Sequence, residues 1–69
     1  MPMYMSESGH DMVIAKITVT DKIKKHLENM GFVVGGSIRI VNKVEENVIV
    51  KVKGVSVALS HELAKRIYV

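Results

Sequence analysis

Histidine is scarce in this chain, and its spacing decides the first question about chemistry. His10, His26 and His61 are the only imidazoles, and there is no cysteine. Structural zinc sites draw on closely spaced cysteine and histidine pairs, and no such pair is present. His10-Asp11 with Glu7 offers an opportunistic cation site and no more. Asp21 and Glu28 lie near His26, but neither stands at a spacing that makes a ligand pair with it. No nucleophile, acid or base constellation can be assembled from the rest. The chain is therefore expected to be no enzyme, to hold no cofactor and no metal, and to act through its surface.

That surface is mildly basic. Ten Lys and Arg against seven Asp and Glu give a net charge of +3, spread along the chain. Such an excess permits attraction to an anionic partner without demanding it. Lys22, Lys24 and Lys25 form one cluster. Arg39, Lys51 and Lys53 form a second, on strand positions that also present Val41 and Ile49. An outward strand face mixing branched aliphatics with cations suits a protein interface, because long basic stems cover apolar surface. Nucleic-acid barrels stack bases on several exposed aromatics in a charged groove. Only Tyr4, Phe32 and Tyr68 are aromatic, and Phe32 reads as a core plug, so that mode is poorly supplied.

The elements that must position these residues follow from composition. Sixty-nine residues make one domain near the lower limit for folding without disulfides or metal. Twelve valines and seven isoleucines against three leucines favour strands, since χ1-stiff side chains pack well on a pleated surface. Residues 1–12 show no periodicity and read as a mobile leader. Val13 to Ile17 reads as a first strand. Thr20-Asp21 opens a helix, and Ile23, Leu27 and Met30 give its buried stripe. Gly31 ends that helix in a left-handed C′ position, placing Phe32 over Leu27.

Gly35-Gly36 turns the chain into a strand from Ser37 to Lys43, with Ile38 and Ile40 inward and Arg39 and Val41 outward. Glu45-Glu46-Asn47 is the hairpin tip, with Asn47 suited to positive φ. Val48, Val50 and Val52 are the inward set of the next strand. Gly54 closes a tight turn into a strand whose Val55, Val57 and Leu59 face inward. Ser60 caps a helical turn from His61 to Arg66, and Ile67 to Val69 is the last strand. Five strands in under sixty residues predict a small closed antiparallel barrel.

Three ordered segments resemble the FeoA family. Met30-Gly31-Phe32-Val33-Val34-Gly35 resembles its Leu-Gly-Leu/Phe-x-Pro-Gly, with Val34 where proline is usual. Gly54 with Val57-Ala58-Leu59 resembles Gly-x-x-Ile/Val-Ala-Leu, and Ala64 with Ile67 and Val69 matches the closing Ala-x-x-Ile-x-Val. The resemblance covers Val13 to Val69. It implies a mainly β, SH3-like barrel with one helix after the first strand and a helical turn before the last. It further implies a free-standing, non-catalytic accessory protein of ferrous iron uptake, partnered with a FeoB-type membrane transporter on its cytoplasmic side. The alternative class is a nucleic-acid-associated barrel or a regulatory module of metal-dependent transcription.

The longest apolar run falls far short of the roughly 20 residues of a membrane span. The first residues lack the basic and apolar regions of a secretory signal, so a cytoplasmic location is expected. Partner binding is expected at Gly31, Val33, Val34, Gly35, Arg39, Val41, Ile49 and Lys51. Val33, Val34, Val41 and Ile49 exceed what the core can hold. They are expected to form an apolar patch that also supports weak homodimerisation.

Overall fold

Branched aliphatics at every second position make sheet, and one glycine-terminated helix closes it. In the computed structural model, which describes residues 1–69, a 3-10 turn at Met3–Met5 precedes β1 (Asp11–Val13) and β2 (Lys16–Ile17). Then come α1 (Asp21–Asn29), β3 (Ser37–Val44), β4 (Asn47–Val52), β5 (Val55–Ser60), α2 (His61–Ala64) and β6 (Ile67–Tyr68). One antiparallel sheet has the order β1-β3-β4-β5, and β2 pairs with β6 in a second. The mainly β antiparallel barrel read from the sequence is what the chain forms, with the first strand divided and the large sheet ending at β5 rather than closed on itself. Ile14, between the two halves, bonds instead to the loop before β3: its N–H donates to Gly36 and its carbonyl accepts from Gly35.

The core lies between the sheets and under both helices. Ile38, Ile40, Val48, Val50, Val52 and Leu59 come from the large sheet, and Leu27, Phe32, Ala64 and Ile67 cover them. Val55 does not join this core. It is 61% exposed, because it flanks the β4–β5 turn at the rim of the sheet. Along α1 only Leu27 is fully buried; Ile23 stays 39% exposed and Met30 half-buried. Thr20 occupies the N-cap position without a side-chain cap bond, and its carbonyl accepts from Lys24. The second helix is shorter than the spacing suggested, ending at Ala64, with the Ser60 hydroxyl accepting from Leu63 at 3.3 Å.

The helix end is built as its residues dictate. Gly31 has φ +102, Phe32 N–H donates to the Leu27 carbonyl, and Gly31 N–H donates to that of Glu28, each at 2.9 Å. Those two bonds define a Schellman motif. Lys53 and Gly54, at φ 51 and 79, form the two-residue β4–β5 turn, whose paired positive angles match the twist of the flanking strands. At the β3–β4 turn the positive φ falls on Glu45 (52°), while Asn47 already pairs with Val44 as the first residue of β4.

Residues 1–12, expected as a mobile leader, pack onto the barrel through Met3 and pair with β3 from Asp11 onward. Met3 is completely buried in the core, Pro2 bridges to Tyr68, and Val69 N–H donates to the Met1 carbonyl. These contacts pair the two ends of the chain and leave no local periodicity to read.

The turn Val33–Gly36 is closed by Gly36 N–H to the Val33 carbonyl at 2.9 Å, with Gly35 at φ +86 in its third position. This is the type II pattern, whose second position favours proline, and the Val34 amide makes no backbone bond. Val34→Pro should therefore stabilise the barrel by about 0.4–1 kcal/mol through the unfolded chain. A lower denaturant midpoint would show that the turn has another geometry. At the helix end, a Cβ on Gly31 would lie 3.0 Å from Val52 Cγ2. Gly31→Val combines that clash with a β-branched residue at positive φ and should cost about 2–4 kcal/mol. Thermal melts unchanged from the parent would contradict the cap.

Candidate partner-binding surface

Strand register sets the outward face of the large sheet. Asp11 pairs with Arg39, Arg39 with Lys51 and Lys51 with Ser56, so these four stand in one row. Arg39 Nε donates to Asp11 Oδ1 at 2.8 Å. That hydrogen bond, and secondarily the guanidinium charge, holds the Asp11 carboxyl below the usual carboxylate range and raises Arg39 in return. The other ion pairs of the chain are His10–Glu7 and Lys65–Glu62, which leaves Lys51 and Lys53 without a carboxylate partner. A shallow groove of about 460 Å³ runs between Asp11, Ser37, Arg39, Lys51, Lys53 and Gly54. Its excess charge is positive.

Of the eight positions singled out from sequence, Arg39 and Lys51 lie in this row and the other six fall to either side of it. Gly31 and the turn Val33-Val34-Gly35 lie at the end where β3 begins. The Lys53 stem passes over Gly31, with its Cδ 3.5 Å from where a Cβ would be. Val34 is 56% exposed there, and Val33 is half-buried. Val41 lies at the other end, about 13 Å along β3 from Ser37 at the usual strand rise. It is 49% exposed because it is the extra residue of a bulge: Ile40 pairs with Val50 and Asn42 with Ile49, leaving Val41 opposite nothing. Ile49 is half-buried between Asn42 and Ala58. The single apolar patch expected from sequence is thus two apolar clusters with the Arg39–Lys51 cations between them. Alternation could not reveal this, because a bulge adds a residue without breaking the pattern on either side.

A second surface went unread in the sequence. Ile23 of α1 and Leu63 of α2 line a groove of about 640 Å³ with Thr18, Val19, Glu62 and Arg66. Its signal was Ile23 itself, an apolar stripe residue with no large partner left to cover it. The histidines take separate places. His61 meets the Tyr4 ring edge-on at 4.5 Å, His10 is 4.0 Å from Glu7, and Asp11 is engaged by Arg39. No three His, Cys, Asp or Glu side chains converge. Phe32 is completely buried and Tyr68 lies under Lys16, so neither offers an open stacking face.

Because the folded pKa of Asp11 is depressed, its pairing with Arg39 adds stability above the unfolded carboxylate value of about 3.9. That contribution is lost as pH falls through the lower folded value. Carboxyl resonances followed by NMR should give Asp11 a midpoint below the ordinary range, returning toward it in Arg39→Gln. A midpoint unmoved by that substitution would show that the pair does not form in solution.

Comparison with known proteins fits this architecture. The FeoA domain family model matches residues 1–69. A crystal structure of an iron uptake regulatory protein (FeoA) superposes with a TM-score of 0.85 at 24% identity, covering 96% of this chain and 88% of that one. The solution structure of iron(II) transport protein A from Clostridium thermocellum gives 0.88 at 24% identity. It covers 99% of this chain, which spans 43% of that longer one. At such identity these likenesses speak to the fold, an SH3-like small barrel. No curated protein matches the chain in sequence. A family match running the full length, on a barrel that both solved structures share, makes this chain a member of the FeoA domain family, the family of ferrous iron transport.

Proposed function

We propose that the chain is a non-catalytic accessory protein of ferrous iron uptake that docks on the cytoplasmic part of a FeoB-type membrane transporter. Membership of the FeoA family supports the link to iron uptake. The names of the two solved relatives, an iron uptake regulatory protein and an iron(II) transport protein, point the same way. The observation that carries docking is the outward sheet face, where the uncompensated Lys51 and Lys53 lie between exposed Val34 at one end and exposed Val41 with half-buried Ile49 at the other. Apolar clusters separated by cations favour a protein surface that is itself part apolar and part acidic.

No helix of the chain is long and apolar enough to cross a membrane. A rigid barrel changes a transporter by binding two of its states unequally. A tenfold preference requires only about 1.4 kcal/mol, which a few contacts supply.

Retention on the immobilised cytoplasmic region of a FeoB-type transporter tests this directly. The parent chain should be retained at moderate salt, and Val41→Glu combined with Lys51→Glu should abolish retention with melting temperature shifted by about 2 °C or less. Retention undiminished in the double variant would move the surface to the Ile23–Leu63 groove. Binding to nucleic acid that collapses steeply with salt, with none to the transporter, would favour the nucleic-acid class instead.

A further inference from the structure

The large sheet ends on β5, and that edge is open. In the β4–β5 hairpin the two-residue turn makes Val52 and Val55 a bonded pair, and the antiparallel ladder alternates from there through Val50–Val57 and Val48–Leu59. Ser56 and Ala58 consequently turn their N–H and C=O groups away from β4. None of these groups meets a partner in the turns, caps or side-chain bonds of the chain. Both residues are exposed. Soluble proteins blunt such edges with charge, proline, a bulge or a covering segment. β5 has none: Val55-Ser56-Val57-Ala58-Leu59-Ser60 is uncharged and proline-free, and its register with β4 is unbroken.

We infer that the β5 edge is a strand-addition site for an extended peptide with alternating apolar and acidic residues. Each side of the added strand would meet a different surface. On the inner side, Val55 and Val57 line a groove of about 380 Å³ shared with Met30, Gly31, Val52 and Lys53. Alternate side chains of the new strand would enter it, and apolar ones fit. On the outer side the new strand extends the row Arg39–Lys51–Ser56. Its outward residues fall about 10 Å from the Lys51 backbone, two strand spacings away and within reach of that side chain. Lys51 and Lys53 have no carboxylate of their own, so glutamate or aspartate is the complementary choice. Main-chain bonds supply the attachment and the alternating pockets supply the selectivity. A second copy of this chain is the poorer occupant, since its β5 carries no acidic residue to place beside Lys51 and Lys53.

This inference rests on the docking role proposed above, for which it names the mode of attachment, yet it is tested without the transporter. The probe is the capped peptide Val-Glu-Val-Glu-Val-Glu, added to the full isotope-labelled chain and followed by amide NMR. The Ser56 and Ala58 amides should shift downfield and gain exchange protection. Methylating one alternate set of peptide amides should weaken binding about tenfold or more, while methylating the other set leaves it unchanged. The Val-Lys analogue should not bind. Ala58→Pro, which removes an outward N–H without touching the β4 ladder, should also block binding; the methylated peptides give the same answer should that variant fail to fold.

Absence of binding, tolerance of both methylated sets, or shifts centred on Ile23 and Leu63 would overturn the inference. Protection of Ser56 and Ala58 that grows with protein concentration and needs no peptide would assign the edge to a second copy, and overturn it too. Retention on the transporter that survives Ala58→Pro, beside peptide binding that does not, would keep the docking role and discard this mode for it.

Discussion

The left-handed backbone at Gly31 is the constraint on which the rest of the barrel depends. A single glycine stops α1, reverses the chain and drops Phe32 into the centre of the core one residue later. The same glycine leaves the space in which Val52 and the Lys53 stem lie against the helix end. A side chain there would displace the β4–β5 hairpin from the helix. Helix termination, core filling and the placement of the basic hairpin are therefore one arrangement. It is achieved with backbone bonds in a chain that has no cysteine to form a disulfide, and in a domain with little core to spare.

The functional reading grows from the same geometry. With Phe32 and the inward valines filling the centre, Val34, Val41 and Val55 are left outside, and the cations of β3 and β4 are set between them. One cation is neutralised by Asp11, and two are not. The outward face is thus poor in internal partners for both its charge and its apolar surface, while its neighbouring edge is poor in partners for its backbone. On the docking role proposed above, each of these unmet groups favours one bound state of a partner over another.

Local features were legible in the sequence, and long-range ones were not. Gly31-Phe32 after a helical stripe specifies its own cap, and Lys53-Gly54 between valine runs specifies its own turn, because the partners lie within a few residues. Met3 in the core could not be foreseen: its contacts are with the far end of the chain, and a lone methionine in an aperiodic segment carries no signal. Val41 was assigned to the right side of the sheet for the wrong reason, since the bulge that exposes it depends on pairing with β4 and not on alternation. Of the eight candidate positions, Arg39 and Lys51 are adjacent as expected, whereas Val34 and Val41 are apart. The open edge at Ser56 and Ala58 required register, which residue types alone do not supply.

The most direct test of the account is hydrogen exchange on the full chain with and without the cytoplasmic region of a FeoB-type transporter. The account predicts new protection confined to Arg39–Val41, Ile49–Lys51 and the Ser56 and Ala58 amides, with α1 and α2 unchanged. Protection centred on Ile23 and Leu63 with the large sheet unaffected, or no protection anywhere at concentrations that form the complex, would contradict it.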